Sequence, residues 1–329
     1  MRLTTSASPD RRTALPDAAR HLSWDGSDLV VVCDDGTLLL LQAPAAGVAA
    51  VDRLGVAPTA LATRPARVVV GGADGTLLDR SRRGRLVSDA GGTVTAMAFV
   101  GESLVLAART QVVLRDETSA SSMDLGVGSV TGLAPISGRL AAVVGTHGLA
   151  WLDTGLLVCD GRLELPTIVS VAVDPRRRCV AMGDLGGSIH LVAFHESEGD
   201  EITGYPDRVA ALAFTSDGNW LCTTAADEVT AWPVLDDGRI EASEPRRLIG
   251  HEHEITAFAA ASDHGLAASG DVEGEVRLWR PALADEPIAS VKVDGVVLAM
   301  AWRADARSLA ITSSTGELLL VDVDPGELL

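Results

Sequence analysis

The chain has 329 residues, 47% of them hydrophobic, with 45 acidic against 27 basic side chains and a formal net charge of −18. Its apolar runs, such as Leu38 to Leu41, are too short to cross a bilayer, and the opening MRLTTSASPDRR lacks the apolar stretch of a secretory leader. A cytoplasmic protein is expected, and its acidity opposes binding of nucleic acid or an anionic membrane through the whole surface.

Along the chain one short phrase returns eight times, a large apolar residue between small ones. It is centred on Leu22, Leu61, Met97, Leu133, Val171, Leu212, Phe258 and Met300, at spacings of 39, 36, 36, 38, 41, 46 and 42 residues. Ala96-Met97-Ala98 and Ala299-Met300-Ala301 are clear cases, and His21 is the exception among the small neighbours. A period of about 40 to 45 residues is that of a four-stranded propeller blade. The expected fold is all-β: a single closed β-propeller of four-stranded antiparallel blades, one domain over 1–329. Eight blades are predicted, over residues 19–57, 58–92, 93–128, 129–166, 167–207, 208–253, 254–295 and 296–329. Seven is the alternative, should the unit around Met97 or Leu133 merge with another or lie outside the ring.

Taken in order, the elements follow one grammar of strands a, b, c and d. Arg2 to Ala7 has strand propensity and is expected to supply the missing outer strand of the last blade, hiding two sheet edges. Asp35-Gly36, Asp74-Gly75 and Gly186-Gly187 supply the positive dihedrals of tight b-to-c hairpins. Ser216 to Asn219 reads as an a-to-b turn, and Ile240 to Ala242 and Ile288 to Val293 as strands d. Residues 254–281 give strand a at Ile255 to Ala260, b at Leu266 to Ser269 and c at Glu275 to Arg280; the last strand c is Glu317 to Val323. Cys33, Cys159, Cys179 and Cys222 are scattered with no C-x-x-C pair, which predicts buried thiols rather than a zinc knuckle or a disulfide framework. Arginine outnumbers the single Lys292, and Ala, Gly and Val abound, the composition expected of a bacterial genome of high GC content.

The repeat from Gly250-His251 to Leu278-Trp279 resembles a WD repeat, whose signature is a Gly-His pair before strand a and a Trp-Asp pair closing strand c. The resemblance implies a hydrogen-bonded network inside the blade, and by matching position His251, Ser269, Glu273 and Trp279 fill its roles. Glu273 stands where the family has Asp, and Arg280 follows the Trp. Trp151 and Trp232 end strand c in two other repeats without a Gly-His partner.

Strands that alternate in direction send the d-to-a and b-to-c loops to one face and the a-to-b and c-to-d loops to the other. The first face collects Asp34, Asp35, Asp74, Asp184, Asp207, Asp227, Glu228, Glu252 and Glu254 and is a candidate site for a basic partner protein. The second collects Arg64, Arg82, Arg83, Arg85, Arg139, Arg176, Arg177 and Arg178, a candidate basic sector, partly offset by Glu196, Glu198, Asp200 and Glu201. Tyr205, in a loop, is a candidate aromatic anchor, whereas Trp302 reads as packing between blades. His251 and His253 with Glu254 offer too few ligands for a zinc site, so no metal or cofactor is expected. No phosphate loop, H-E-x-x-H or G-x-S-x-G occurs. The expected function is a non-catalytic platform for other proteins, as the resemblance implies, with the chain a monomer inside a hetero-complex. The competing reading is a propeller enzyme of lactonase, hydrolase or quinoprotein type with its site in the central channel.

Overall fold

The computed structural model describes residues 12–42, 48–81, 84–116, 119–194, 196, 198–241 and 245–324, and of residues 48–50 and 84–88 the backbone alone. Its strands form eight four-stranded antiparallel sheets, the fold of an eight-bladed β-propeller. The chain divides into two compact units, one of Leu54–Leu212 with Asp237–Arg239, the other of Met1–Arg53, Ala213–Asp236 and Ile240–Leu329.

The first of these units holds blades 2 to 5, each given as strands a, b, c and d. Blade 2 is Pro58–Arg64, Arg67–Gly72, Thr76–Ser81 and Gly84–Asp89; blade 3 is Val94–Val100, Ser103–Ala108, Gln111–Arg115 and Ala120–Asp124. Blade 4 is Val130–Pro135, Leu140–Gly145, Gly148–Asp153 and Val158–Glu164; blade 5 is Ile168–Val173, Cys179–Asp184, Ile189–Ala193 and Asp200–Ile202. The units around Met97 and Leu133 are therefore full blades, which disposes of the seven-bladed alternative.

The other unit holds blade 1 (Ala19–Asp25, Asp28–Cys33, Thr37–Gln42, Val48–Arg53), blade 7 (Ile255–Ala260, Ala267–Asp271, Glu275–Trp279, Ala289–Lys292) and blade 8 (Val297–Trp302, Ser308–Ser313, Glu317–Asp322). Most of blade 6 (Ala211–Phe214, Trp220–Ala225, Glu228–Pro233, Arg246–Leu248) lies here too. Its strand d begins at Arg246 rather than at Ile240, because Ile240 forms only an isolated bridge with Val234. Strand d of blade 8 is Arg12–Ala14, paired in register with Leu319, Leu318 and Glu317. The start of the chain thus completes the last blade, but from Arg12; Arg2 to Ala7 lies outside the described residues. Arg12 pairs with Glu317 and donates to Lys292 O at 2.8 Å, while Leu15 N–H donates to Gly316 O at 2.7 Å.

The repeated phrase has a packing reason. Strand b of blade 4 sends Ala141 and Val143 into the core shared with blade 3, and Ala142 and Val144 into the core shared with blade 5. A strand buried on both faces reads as a continuous apolar run. In strand a the large residue packs towards the preceding blade, against that blade's small residues: Met97 with Ala60 and Ala62, Leu133 with Ala96, Val171 with Ala134, Met300 with Ala257. A bulky side chain on both sides would overfill the gap, at a cost of about 1–3 kcal/mol.

Hydroxyls add directed bonds between neighbouring blades. Strand a carries a one-residue register shift near its start in blades 3, 4 and 7. The extra residue turns its side chain to the next blade: Thr95 donates to Val130 O (2.9 Å), Thr131 to Ile168 O (2.6 Å) and Thr256 to Val297 O (2.6 Å). Such bulges re-aim a side chain without breaking the sheet. Trp302 Nε1–H reaches Ala259 O at 3.1 Å and Trp24 Nε1–H reaches Ala301 O at 3.0 Å, so both indoles serve packing between blades.

Candidate functional site

Blade 7 contains a closed polar network. Trp279, fully buried, donates its indole N–H to Ser269 Oγ at 2.7 Å, and Ser269 lies 2.7 Å from His251 Nε2. Because the indole can only donate, the serine proton goes to His251 Nε2, which fixes the neutral Nδ1–H tautomer. That Nδ1–H donates to Asp271 Oδ2 at 2.8 Å, and Asp271 Oδ1 accepts the backbone N–H of Glu273 (3.0 Å) and Glu275 (2.9 Å). Burial holds His251 below the usual histidine range, in keeping with a neutral ring, although the Asp271 carboxylate opposes that shift. The acid is thus Asp271, at the end of strand b, and not Glu273, which is exposed and offers only its backbone N–H.

Blade 5 repeats the acid but not the network. Asp184 Oδ1 accepts the N–H of Gly186 and Ser188, both at 2.8 Å, and Asp184 Oδ2 accepts from His190 Nε2 at 3.0 Å. Here the histidine comes from strand c, not from the d-to-a loop. Asp184 is 3% exposed, so it is a structural group inside the blade and not part of an acidic surface.

The loops that close the b-to-c end of blades 6 to 8 are stitched together. Ile255 N–H donates to Ala226 O (2.8 Å), Val272 N–H to Glu254 O (3.0 Å) and Val293 N–H to Gly274 O (3.0 Å). Gly274 takes φ +83° and a Cβ there would lie 2.2 Å from Val293 O, so this junction admits only glycine. These segments display Asp227, Glu252, Glu254, Glu273 and Asp294, all exposed and, among the described residues, without an ion pair. Several cations of the same unit are already engaged: Arg20 with Asp34 (3.1 Å), Arg53 with Asp35 (3.1 Å), Lys292 with Glu275 (3.2 Å), Arg247 with Glu228 and Arg12 with Glu317. Asp34, Asp35 and Glu228 are therefore partly neutralised, whereas Glu252 and Glu254 are not. In the other unit Asp74 and Asp207 are exposed, and the N–H of Thr76 holds the Asp74 carboxyl below the usual carboxylate range.

Three of the arginines expected to form a basic sector are paired with acids of the chain. Arg64 pairs with Glu102 at 2.6 Å and lies 4.9 Å over the Phe99 ring; Arg139 pairs with Asp153 at 3.1 Å. Arg178 grips the buried Asp174 at 2.6 Å. Arg176 and Arg177 are exposed, Arg82 and Arg83 lie outside the described residues, and the Arg85 side chain is not described. Tyr205 is half-buried, its N–H on Gly187 O at 3.3 Å. All four cysteines are free; Cys159 is exposed, while burial raises Cys33 to about 11 and Cys179 and Cys222 to about 12. Among the described residues no group of three or more His, Cys, Asp or Glu could hold a metal ion, and no helix is long and apolar enough to cross a membrane.

The sheets define a β-propeller, one blade of which carries the network that a WD repeat implies, and comparison with known proteins agrees. Residues 243–280, which hold the blade 7 network, match the WD domain, G-beta repeat model. It is 27% identical to WD repeat-containing protein 55 of Danio rerio over 36% of this chain and 31% of that one. It is 31% identical to the small ribosomal subunit protein RACK1 of Brassica napus over 23% of this chain and 24% of that one. The chain thus spans about a quarter to a third of the length of these relatives. Among solved structures, the computationally designed Ika8 protein superposes with a TM-score of 0.80 at 20% identity, over 94% of this chain and 98% of that one. Sqt1 of Chaetomium thermophilum, solved bound to the N-terminus of the ribosomal protein L10, gives 0.76 at 17% identity, over 93% and 97%.

Proposed function

We propose that this protein is a non-catalytic scaffold that acts as one propeller domain and receives a basic segment of a partner protein on the acidic loops of blades 6 to 8. The observation that carries the reading is the imbalance there: five exposed carboxylates without an ion pair, beside arginines already held by other acids. The loops are fixed by backbone bonds before a partner arrives, so little ordering cost is added on binding. Sqt1, of the same fold, was solved with a ribosomal protein's N-terminus bound, and RACK1 is named for the ribosomal subunit. Both support a protein partner.

The test is affinity purification from the native host at low and moderate salt, with mass spectrometry of what co-purifies, for the wild type and for Asp227→Asn, Glu252→Gln, Glu254→Gln combined. A stoichiometric partner that is lost on raising the salt and in the triple variant is expected. A partner retained equally by the variant would move the site elsewhere.

A further inference from the structure

The c-to-d end of blade 5 holds a cavity of about 160 Å³. Strand d of that blade, Asp200–Ile202, pairs only with Ile189 to Leu191 of strand c, and the cavity lies beside the end of that pairing. Cys179, Leu191 and Ala193 form an apolar floor, and the turn Asp237–Arg239 closes the far wall. That turn is fixed in place: Cys179 Sγ–H donates to Gly238 O at 3.3 Å, and Gly238, at φ +87°, sits where a Cβ would lie 2.8 Å from Arg178 Cβ.

The walls carry three carboxylates, Glu198, Asp200 and Asp237, against one cation, Arg239. Arg239 is held by Asp237 at 2.8 Å and feels the field of Asp200 as well, so it is not available to an incoming anion. The neighbouring Arg178 is likewise committed, to Asp174. What remains is an apolar floor under a rim with two carboxylates in excess. The volume equals on the order of five waters at roughly 30 Å³ each, well below the roughly 300–1,000 Å³ of a drug-sized site. A long cationic side chain fits both properties, with its aliphatic stem on the floor and its head at the rim.

We propose that this cavity is a subsite for one lysine or arginine side chain of a partner polypeptide. It is separate from the acidic loops of blades 6 to 8 and does not depend on them. Amide spectra of the full chain, titrated with Ac-Gly-Arg-Gly-NH₂, Ac-Gly-Lys-Gly-NH₂ and the apolar control Ac-Gly-Met-Gly-NH₂, test it. Saturable shifts at Gly199 and Gly238 are expected with the cationic peptides and not with the methionine peptide. Glu198→Gln with Asp200→Asn is expected to weaken the response roughly tenfold, with the melting temperature unchanged. Ala193→Phe, which fills the cavity, is expected to abolish it. The combined Asp227, Glu252 and Glu254 variant should leave these shifts intact, which separates this site from the loop site. Absence of shifts at Gly199 and Gly238, an equal response to the methionine peptide, or an unchanged response in the Glu198, Asp200 variant would each overturn the proposal.

Discussion

Blades 7 and 5 are built around the same acid and differ in where its histidine comes from. In both, an aspartate at the end of strand b accepts two backbone N–H groups of the b-to-c turn through Oδ1 and an imidazole N–H through Oδ2. Blade 7 takes that imidazole from the d-to-a loop, His251, and extends the chain through Ser269 to Trp279; blade 5 takes it from strand c, His190, and stops. The difference shows which part is indispensable. Turn N–H groups buried without an acceptor are costly, so the carboxylate is kept, whereas the ring that satisfies its second oxygen can arrive from either side.

The largest effect should therefore come from the acids themselves. Asp271→Ala and Asp184→Ala each strand two N–H groups and a histidine, and each is expected to cost about 3 kcal/mol in urea unfolding. A loss below about 1 kcal/mol in either blade would break the equivalence. Next comes the extension that only blade 7 has. Trp279→Phe removes the indole donor to Ser269 and leaves a small void, for an expected loss of about 1–2 kcal/mol. Calorimetry of this variant measures how much the tail of the network adds.

The neutral ring of His251 also makes stability depend on pH. His251 titrates lower in the folded state than in the unfolded chain. As pH falls below about 6.5, the unfolded state takes up a proton that the folded state refuses, so stability declines with acidification until the folded pKa is reached. Urea midpoints between pH 5 and 8 should show this slope, and His251→Ala should remove His251's contribution to it. A smaller effect is expected at Ala226, whose φ of +53° is unfavourable for a residue with a Cβ. Ala226→Gly should gain a few tenths of a kcal/mol, since relief of strain is partly offset by a freer unfolded chain. A loss of stability there would mean that the methyl group packs usefully.

Much of the fold could be read from the sequence because packing between blades leaves a strict signature. Met97 against Ala60 and Ala62 needs a large residue in one blade and small ones in the preceding blade, and that need recurs at each repeat. Strand d carries no such demand. Half-exposed outer strands such as Arg246–Leu248 lack a period, and so that strand and the closing strand Arg12–Ala14 were placed elsewhere by pattern.

The polar residues were harder still, because a charge looks the same in sequence whether it faces solvent or a partner in the fold. Asp184 and Arg178 read as surface charges and are both internal. The signal for the acids was present: Asp271-Val-Glu-Gly-Glu and Asp184-Leu-Gly-Gly-Ser share an aspartate three residues before a glycine, at the end of an apolar strand. The cavity beside Cys179 depends on a turn 59 residues away, and no local pattern announces it.

The proposed docking of a basic protein segment on the acidic loops of blades 6 to 8 can be measured directly. Fluorescence anisotropy of a labelled twelve-residue Lys/Arg-rich peptide, and of its Asp/Glu-rich counterpart, tests this at low and moderate salt against wild type and the combined Asp227, Glu252 and Glu254 variant. Binding of the basic peptide alone, weakened by salt and largely lost in the variant, is the predicted result. Equal binding by wild type and variant, or no discrimination between the two peptides, would contradict the claim.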